Sequence, residues 1–223
     1  MSVIATDNFT RANNADLGAN WTPQTGNGSF QILSNTAQPA SLAADSGETY
    51  TGAVWPNDQY SLAVINALSG TPGVDRGIAV GVRMQTGSYG LYSFMAEGSG
   101  ANPDCSLQKI IASAFTQLGT ADGNFIAGDT LYVEIQGTTI KCRKGSGGSD
   151  LITSTGDAQW STGNAGINYS STMTTAALTS WEGGDFAAGG GGGVSEANRV
   201  PDESAPAESW NNWKDKYGSW PRY

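Results

Sequence analysis

The carboxylates are the side chains of this sequence with the most obvious capacity for chemistry, because the chain contains no histidine. Without histidine it cannot build a Ser-His-Asp or Cys-His relay, or a zinc site that uses imidazole. Glycan hydrolysis would need two carboxylates flanking the bond, about 5 to 9.5 Å apart. Glu134 stands alone on what reads as an outward strand face, and Glu182 and Asp185 lie at the end of the patterned region. We therefore predict that the protein is not an enzyme.

Basic side chains gather at one place in the sequence, Lys141, Arg143 and Lys144. The whole chain has 11 basic and 20 acidic residues and a formal net charge of −9. Such a chain is repelled by phosphate backbones unless its cations are concentrated on one surface. We interpret the three cations as the solvated end of a strand and predict that nucleic acid is not a partner.

Aromatic side chains offer a different chemistry, because their faces pack on sugar rings while planar polar groups bond to the hydroxyls. The patterned region offers Tyr50, Trp55, Trp160 and Trp181 for such a platform. Each is found more often in a core than on a platform, and the sequence does not choose among them.

The elements that must position these side chains are short strands. With 31 glycines among 223 residues, long helices are disfavoured, because an interior glycine costs about 1 kcal/mol relative to alanine. Residues 77–85 alternate, with Met84 on the same apolar face as Ile78, and residues 130–136 alternate in the same way. This period of two is typical of half-buried strands.

The second of these strands continues through Gly137-Thr138 into residues 139–143, which predicts a hairpin. We predict no helix longer than a turn between residues 30 and 182. Further strands are expected over residues 30–33, 60–68, 90–96, 107–115, 165–169 and 177–181. Many short strands separated by turn residues predict a single all-β sandwich or barrel.

The two cysteines, Cys105 and Cys142, are too few for a disulfide framework and lack a metal-ligand spacing. Cys142 shares a strand face with Ile140 and reads as a small buried apolar side chain. A bridge between the two cysteines stays open if their strands are neighbours. The N-terminal segment has no signal-peptide pattern, and no run approaches the roughly 20 apolar residues of a membrane span, so we expect neither.

The composition changes at Ala187. Residues 188–193 are one alanine and five glycines, which is typical of a flexible linker. Residues 194–223 follow, with a short helix predicted near 207–217 that carries three aromatic side chains on one stripe. Because Trp and Tyr dominate interface energetics, we predict a docking tail for another subunit; docking on the chain's own sandwich is the alternative. The docking residues would be Trp210, Trp213, Tyr217, Trp220 and Tyr223.

Residues 7–22 read D-N-F-T-R-A-N-N-A-D-L-G-A-N-W-T. This segment resembles the D-x-F-x-R…L-G…W opening of concanavalin A-like (LamG-type) jelly-roll domains, which occur in phage structural proteins and bacterial extracellular proteins. Further segments that look like the family's strands follow in order: Y-G-L-Y-S-F at 89–94, G-D-T-L-Y-V-E-I-Q-G at 128–137, T-I-K-C-R-K at 139–144, G-N-A-G-I at 163–167 and G-D-F at 184–186. The resemblance covers about residues 5 to 187. It implies an all-β jelly-roll sandwich of two antiparallel sheets over residues 1–187, followed by the linker and tail.

Within the opening segment, Phe9 and Trp21 would supply apolar anchors. Arg11 would pair with Asp7 or with Asp185, since the family's first and last strands lie side by side.

The resemblance also implies where an ion or an active site would lie. Hydrolases of this superfamily carry Glu-x-Asp-x-x-Glu on one strand, a motif that this sequence lacks. Calcium is the family's usual ion and takes oxygen ligands from loops. Several loop carboxylates could supply them, but none has a diagnostic spacing, so we expect solvated side chains and no cofactor: Asp75, Asp104 with Asn102, and Asp122 with Asn124.

The resemblance and the missing catalytic groups predict a non-enzymatic structural protein of a virion or similar extracellular assembly. It would be a phage capsid decoration, head-fibre or tail-associated subunit anchored by residues 194–223. The alternative is a carbohydrate-binding adhesion module that recognises surface glycan, because this fold hosts lectins as well as inert spacers. The third hypothesis, a glycan-cleaving enzyme, would depend on Glu134.

Overall fold

The computed structural model describes residues 1–70, 77–97, 104–170 and 173–186, all of which belong to the compact unit Met1–Ala187. The predicted linker 188–193 and docking tail 194–223 lie outside the described residues and stay predictions. The same holds for several residues singled out above, which are Asp75, Asn102, Trp210, Trp213, Tyr217, Trp220 and Tyr223.

Strands make up the regular structure of the described residues, and no helix occurs among them. In chain order they are β1 (Ser2–Asp7), β2 (Trp21–Pro23), β3 (Phe30–Leu33), β4 (Thr36–Pro39), β5 (Ser46–Tyr50), β6 (Gln59–Gly70), β7 (Gly77–Met84), β8 (Gly90–Glu97), β9 (Cys105–Ile111), β10 (Ala114–Ala121), β11 (Thr130–Gln136), β12 (Thr139–Lys144), β13 (Asp150–Ser154), β14 (Asn164–Ser170) and β15 (Met173–Asp185). The described part of the chain contains no helix with the length and apolarity that a membrane span requires.

The strands form two antiparallel sheets. An eight-stranded sheet has the order β13-β12-β11-β6-β15-β4-β3, with β1 also pairing with β15, and a seven-stranded sheet has the order β10-β9-β8-β7-β14-β5-β2. The first and last strands lie side by side, with Asp7 opposite Trp181. The fold class predicted from the sequence is confirmed for the sandwich.

The main core lies between the two sheets, where apolar side chains from alternate strand positions meet. Leu131 and Val133 of β11 face Ile78 and Val80 of β7 across this layer, and Phe9 is fully buried in it. The alternation of core-facing side chains predicted for β11 and for Ile78–Val82 of β7 is therefore confirmed. The prediction that these strands are half-buried is wrong, because β7 is buried along its whole length and β11 along its centre.

Met84 departs from that alternation. It was predicted on the face of Ile78, but it lies in a second apolar cluster with Leu91 and Ile110. The preceding residue, Arg83, has a φ of 49°. This left-handed residue interrupts the pleat, so the residue after it turns to the opposite face of the sheet.

A single strand predicted over residues 107–115 is wrong. The chain turns at Ala112 and Ser113, whose φ values are 48° and 69°, and β9 and β10 pair on either side of them. Two consecutive positive φ values are typical of the tight hairpin turns that usually carry Asn or Gly. Ala-Ser is an uncommon sequence for such a turn, so the local sequence does not predict a turn at this position.

Both cysteines are free and buried. Cys142 lies in the main core with Ile140, as predicted, and no bridge to Cys105 is formed. Burial raises the pKa of Cys105 to about 12 and raises that of Cys142 well above its ordinary value. Both thiols are therefore protonated, inert core side chains at neutral pH.

Candidate functional site

Glu134 lies on the outward face of β11 but is neither alone nor exposed. Its carboxylate makes a bidentate ion pair with Arg143 of β12, with both N–O distances 2.8 Å, and accepts a hydrogen bond from the Tyr132 hydroxyl at 2.7 Å. The Glu134 side chain is 4% exposed. Three hydrogen bonds occupy most of the acceptor sites of this carboxylate, which therefore ties β11 to β12.

This ion pair belongs to a set of outward side chains that crosses the eight-stranded sheet, which we call the charged row. Arg143 Nε also donates to Asp150 Oδ1 at 2.5 Å, and Lys141 Nζ lies 3.0 Å from Asp150 Oδ2. Burial by itself would lower the pKa of Arg143, but its hydrogen bonds to Glu134 and Asp150 outweigh burial and raise it. The charged row is Glu182, Tyr60, Tyr132, Glu134, Arg143, Asp150 and Lys141.

The three cations predicted to be a solvated strand end are therefore ion-paired. Lys144, the third of them, lies 2.6 Å from Asp129. Their charges are neutralised within the described residues, which leaves no concentrated positive surface at this point.

The opening segment forms a structural cluster around Asp7. Its carboxylate accepts two hydrogen bonds from Arg11, at 2.7 and 3.0 Å, and one from Trp21 Nε1 at 2.9 Å. Burial by itself would raise the pKa of Asp7, but these bonds and the Phe9 N–H outweigh burial and hold the pKa below its ordinary value. Of the two partners considered for Arg11, the structure selects Asp7.

Of the loop carboxylates considered as ion ligands, Asp104 already has backbone partners. Both oxygens of Asp104 are occupied by backbone N–H groups, those of Gly123 and Phe125. Among the described residues, no group of three or more Asp, Glu, Cys or His side chains is placed to hold a metal ion.

The four aromatic candidates have different environments. Trp181 is 1% exposed and stacks on Tyr50 with ring centroids 5.2 Å apart, and Trp55 packs on both. These three belong to the core or its margin. Trp160 also lies at the core margin and is half-buried, but it lines a pocket at one end of the sandwich as well.

This end pocket has a volume of about 310 Å³ and is built from loops that are distant in sequence. They are the segment before β6, the β11–β12 turn and the loop between β13 and β14. The lining residues are Asn57, Asp58, Arg83, Gly137, Thr138, Ala158, Trp160 and Ser161. The volume falls at the lower end of the range typical of small-ligand sites.

Two buried side chains hold the loops of the end pocket in place. Gln59, at the start of β6, donates to Pro56 O at 2.8 Å and to Gly163 O at 2.9 Å. Arg83 donates to Asn57 O at 3.0 Å and to Trp160 O at 2.8 Å. Burial lowers the pKa of Arg83. Because each side chain binds two loops at once, the pocket is organised before any ligand arrives.

The backbone at Arg83 is strained, since its φ of 49° is unusual for a residue with a long side chain. Gly163 allows the close contact beside it: a Cβ at that position would lie 2.4 Å from the Arg83 carbonyl carbon. Strained residues held by their surroundings are found often at functional sites.

Contacts with neighbouring side chains hold the Trp160 ring in place. It packs edge-on against Tyr92 with centroids 5.1 Å apart, and the Tyr92 hydroxyl donates to Asp157 at 2.6 Å. Lys109 pairs with the same carboxylate. Burial by itself would raise the pKa of Asp157, but these partners outweigh burial and lower it. The platform therefore has one orientation and little freedom to lose on binding.

Several polar groups of the end pocket remain available to a ligand. Asp58 Oδ1 accepts from the Gly137 N–H at 2.8 Å and lies 3.7 Å from Arg83 Nη2, and the other carboxylate oxygen has no hydrogen-bond partner in the described part of the chain. The side chains of Asn57, Thr138 and Ser161 are exposed and make no hydrogen bonds within that same part. An aromatic face beside a carboxylate, an amide and two hydroxyls is suited to a polyhydroxylated ligand.

Sequence reasoning found Trp160 but missed its companions. Asp58 and Arg83 are separated by 25 positions and carry no motif. The signal available was indirect: Arg83 is a charged residue inside an otherwise apolar strand, and such a residue must find buried partners.

No protein-family model matches the chain, and no curated protein matches its sequence. Solved structures do match. Carbohydrate-binding module CBM66 from Bacillus subtilis superimposes with a TM-score of 0.55 at 18% identity, covering 73% of this chain and 93% of that one. The exoplasmic/lumenal domain of VIP36, in its Ca²⁺/Man-bound form, has a TM-score of 0.53 at 15% identity over 76% of this chain and 84% of its own.

A third match is the CBM2 module of the evolved Dit protein of Lactobacillus casei BL23 phage J-1. Its TM-score is 0.50 at 12% identity, over 81% of this chain and 94% of that one. At these identities the likeness establishes the fold alone. The two antiparallel sheets of this chain form a concanavalin A-like jelly-roll sandwich.

Proposed function

We propose that the sandwich is a carbohydrate-binding module that recognises neutral glycan at the end pocket. The observation that carries the proposal is the convergence there of the fixed Trp160 ring with the exposed amide of Asn57 and with the Asp58 carboxylate oxygen that accepts no hydrogen bond from the described residues. The aromatic face would pack on the C–H face of a sugar ring while the amide and carboxylate bond to its hydroxyls. The carbohydrate-binding modules among the structural neighbours support this reading.

The test is glycan binding by the full chain and by Trp160→Ala. An array of neutral oligosaccharides built from glucose, mannose, galactose and N-acetylglucosamine identifies a binder, and calorimetry then measures its affinity. Loss of a central aromatic anchor costs about 2 kcal/mol, so we expect binding roughly 30-fold weaker.

Two matched variants control this experiment. Trp160→Phe keeps an aromatic face and should retain most of the affinity. Ile126→Ala removes an apolar side chain that is 62% exposed on a different loop and should change nothing. Full affinity in Trp160→Ala, with the fold intact by circular dichroism, would show that the end pocket is not the site.

We also propose that the module belongs to a virion, where residues 194–223 anchor it to other subunits. Two observations favour this: the tail carries three of the seven Trp residues, and one structural neighbour is a module of a phage protein. Binding of surface glycan by such a particle would place it on its host, so the two proposals are compatible.

Removing residues 194–223 tests the anchor. The full chain should form multimers, or sediment with its particle, whereas the truncated chain should remain monomeric in light scattering. Equal assembly by both chains would contradict the anchor and leave the glycan proposal standing.

We further propose that glycan is bound without being cleaved. Support comes from Glu134, the carboxylate on which a glycan-cleaving enzyme would depend. Arg143 and Tyr132 already donate hydrogen bonds to its oxygens. Incubation of each array-positive oligosaccharide with the full chain should release no reducing ends.

A further inference from the structure

A second groove opens on the outward face of the eight-stranded sheet, where β15 and β4 diverge. The two strands pair only at Leu178 and Ala37, whereas residues 173–177 pair with β6 alone among the described strands. Ala67 and Ala177 face each other across the β6–β15 ladder and line the opening. Their small side chains leave room for a groove of about 380 Å³, which we call the split-sheet groove.

The lining of this groove mixes polar and apolar side chains and contains no charged residue, on a chain whose net charge is −9. Three amide side chains reach it, those of Gln31, Gln38 and Asn66. Gln31 and Gln38 are directly opposed on β3 and β4, so their amides project side by side. An uncharged lining favours a neutral ligand, because a charged one would lose hydration without gaining an ion pair.

Several of these groups are available for binding. Gln38 Nε2 donates to Thr36 Oγ1 at 2.9 Å, which orients that amide. The side chains of Gln31, Asn66 and Thr175 line the groove and have no hydrogen bond to any described residue. Amides and hydroxyls both donate and accept, which is the pattern that sugar hydroxyls require.

The split-sheet groove and the end pocket lie toward opposite ends of β6. Asn66 is eight positions beyond Asp58, which corresponds to roughly 26 Å at the rise of an extended strand. Phe186, the last described residue, donates its N–H to Asp58 O at 3.0 Å. The last described residue therefore lies beside the end pocket, and the groove lies toward the other end of β6.

We propose that the split-sheet groove is a second binding site for neutral oligosaccharide, which uses Gln31, Asn66 and Thr175. Its alanine floor would contact the C–H groups of the sugar while the amides and the hydroxyl bind its oxygens. The inference extends beyond the end pocket and does not need that site to be occupied.

Titration of the isotope-labelled full chain, followed by nuclear magnetic resonance, tests the groove. The probes are linear neutral hexasaccharides of glucose, mannose, galactose and N-acetylglucosamine at millimolar concentration. One of them should shift the side-chain amide signals of Gln31 and Asn66. The double variant Gln31→Ala/Asn66→Ala should weaken that binding about tenfold, because it removes two hydrogen-bonding groups that have no structural partner.

The two sites are distinguished by their variants. Trp160→Ala should leave the groove shifts and their affinity unchanged, and the double variant should leave the shifts at Trp160 unchanged. Thr116→Ala, on the exposed β10 of the other sheet, is the matched control and should alter neither. No shift with any hexasaccharide, unchanged affinity in the double variant, or displacement by an uncharged Ser/Thr/Gln peptide would overturn the assignment.

Discussion

The charged row and the end pocket are both polar regions of the sandwich, and they differ in how their groups are satisfied. In the charged row, Glu134, Arg143 and Asp150 bind one another at 2.5 to 2.8 Å. In the end pocket, Arg83 donates to two backbone carbonyls and lies 3.7 Å from Asp58 Oδ1, while the Asn57 amide and the other Asp58 oxygen make no hydrogen bond within the described residues. The residues that look most reactive in the sequence are the ones that the fold has already paired.

The difference shows which polar groups can bind a ligand. A bidentate ion pair exposes little bonding capacity, and breaking it to admit a ligand costs more than a new contact returns. A pocket whose cation organises the loops leaves its smaller polar groups free for recognition. Substitutions in the two regions should therefore separate stability from binding.

The largest effect is expected for Arg83→Met. This variant keeps the volume but removes the hydrogen bonds to Asn57 O and Trp160 O. Hydrogen bonds to a charged group contribute about 1.5 to 3 kcal/mol each, so we expect the free energy of unfolding to fall by about 4 kcal/mol. The loops would lose their order, and glycan binding at the end pocket should be lost in calorimetry.

Arg143→Met is the matched variant in the charged row. It leaves Glu134 without its cation and should also reduce stability in urea titration, yet glycan affinity should not change. The comparison fails if Arg143→Met abolishes binding or if Arg83→Met binds like the parent chain.

Local patterns predicted the strands that alternate and missed features set by tertiary contact. β11 and β12 were found because Leu131 and Ile140 belong to clear period-two patterns joined by Gly137-Thr138. The Ala112-Ser113 turn was missed because neither residue prefers a positive φ. Such a turn is imposed by pairing between β9 and β10, which a local pattern does not contain.

The end pocket was predictable only in part. Trp160 was one of four aromatic candidates, and nothing in its neighbourhood of the sequence separated it from Trp181. Trp160 differs from Trp181 because it lies where the hydrogen bonds of Gln59 and Arg83 bring together loops from distant parts of the chain. Long-range hydrogen bonds of this kind leave no periodic trace in the sequence.

Glu48 extends the comparison into the interior, because it is a buried carboxyl with no ion-pair partner among the described residues. It is 1% exposed on β5 and accepts one hydrogen bond from the Phe30 N–H at 3.1 Å. Its pKa is raised from 4.5 to about 7 because burial, with a smaller contribution from the Asp16 charge, outweighs the lowering effect of the Phe30 hydrogen bond. The folded state therefore favours the neutral carboxyl.

The sign of the pH dependence follows from that shift. Stability from neutral Glu48 is fully present below pH 4.5 and is lost as pH rises through about 7. Glu48→Gln keeps an acceptor for the Phe30 N–H and cannot ionise. We expect no gain in unfolding free energy at pH 4 and a gain of up to about 3 kcal/mol at pH 9. A constant difference between variant and parent across this range would contradict the assignment.

The smallest effect is expected for Glu134→Gln in the charged row. Glutamine keeps an oxygen for Arg143 and Tyr132, and Arg143 keeps its bond to Asp150. The charge and one of the two hydrogen bonds from Arg143 are lost, so the unfolding free energy should fall by about 2 kcal/mol in urea titration. Glycan affinity should equal that of the parent chain. If the parent releases reducing ends from a bound oligosaccharide and this variant does not, Glu134 is catalytic, and the charged row is an active site rather than a paired surface.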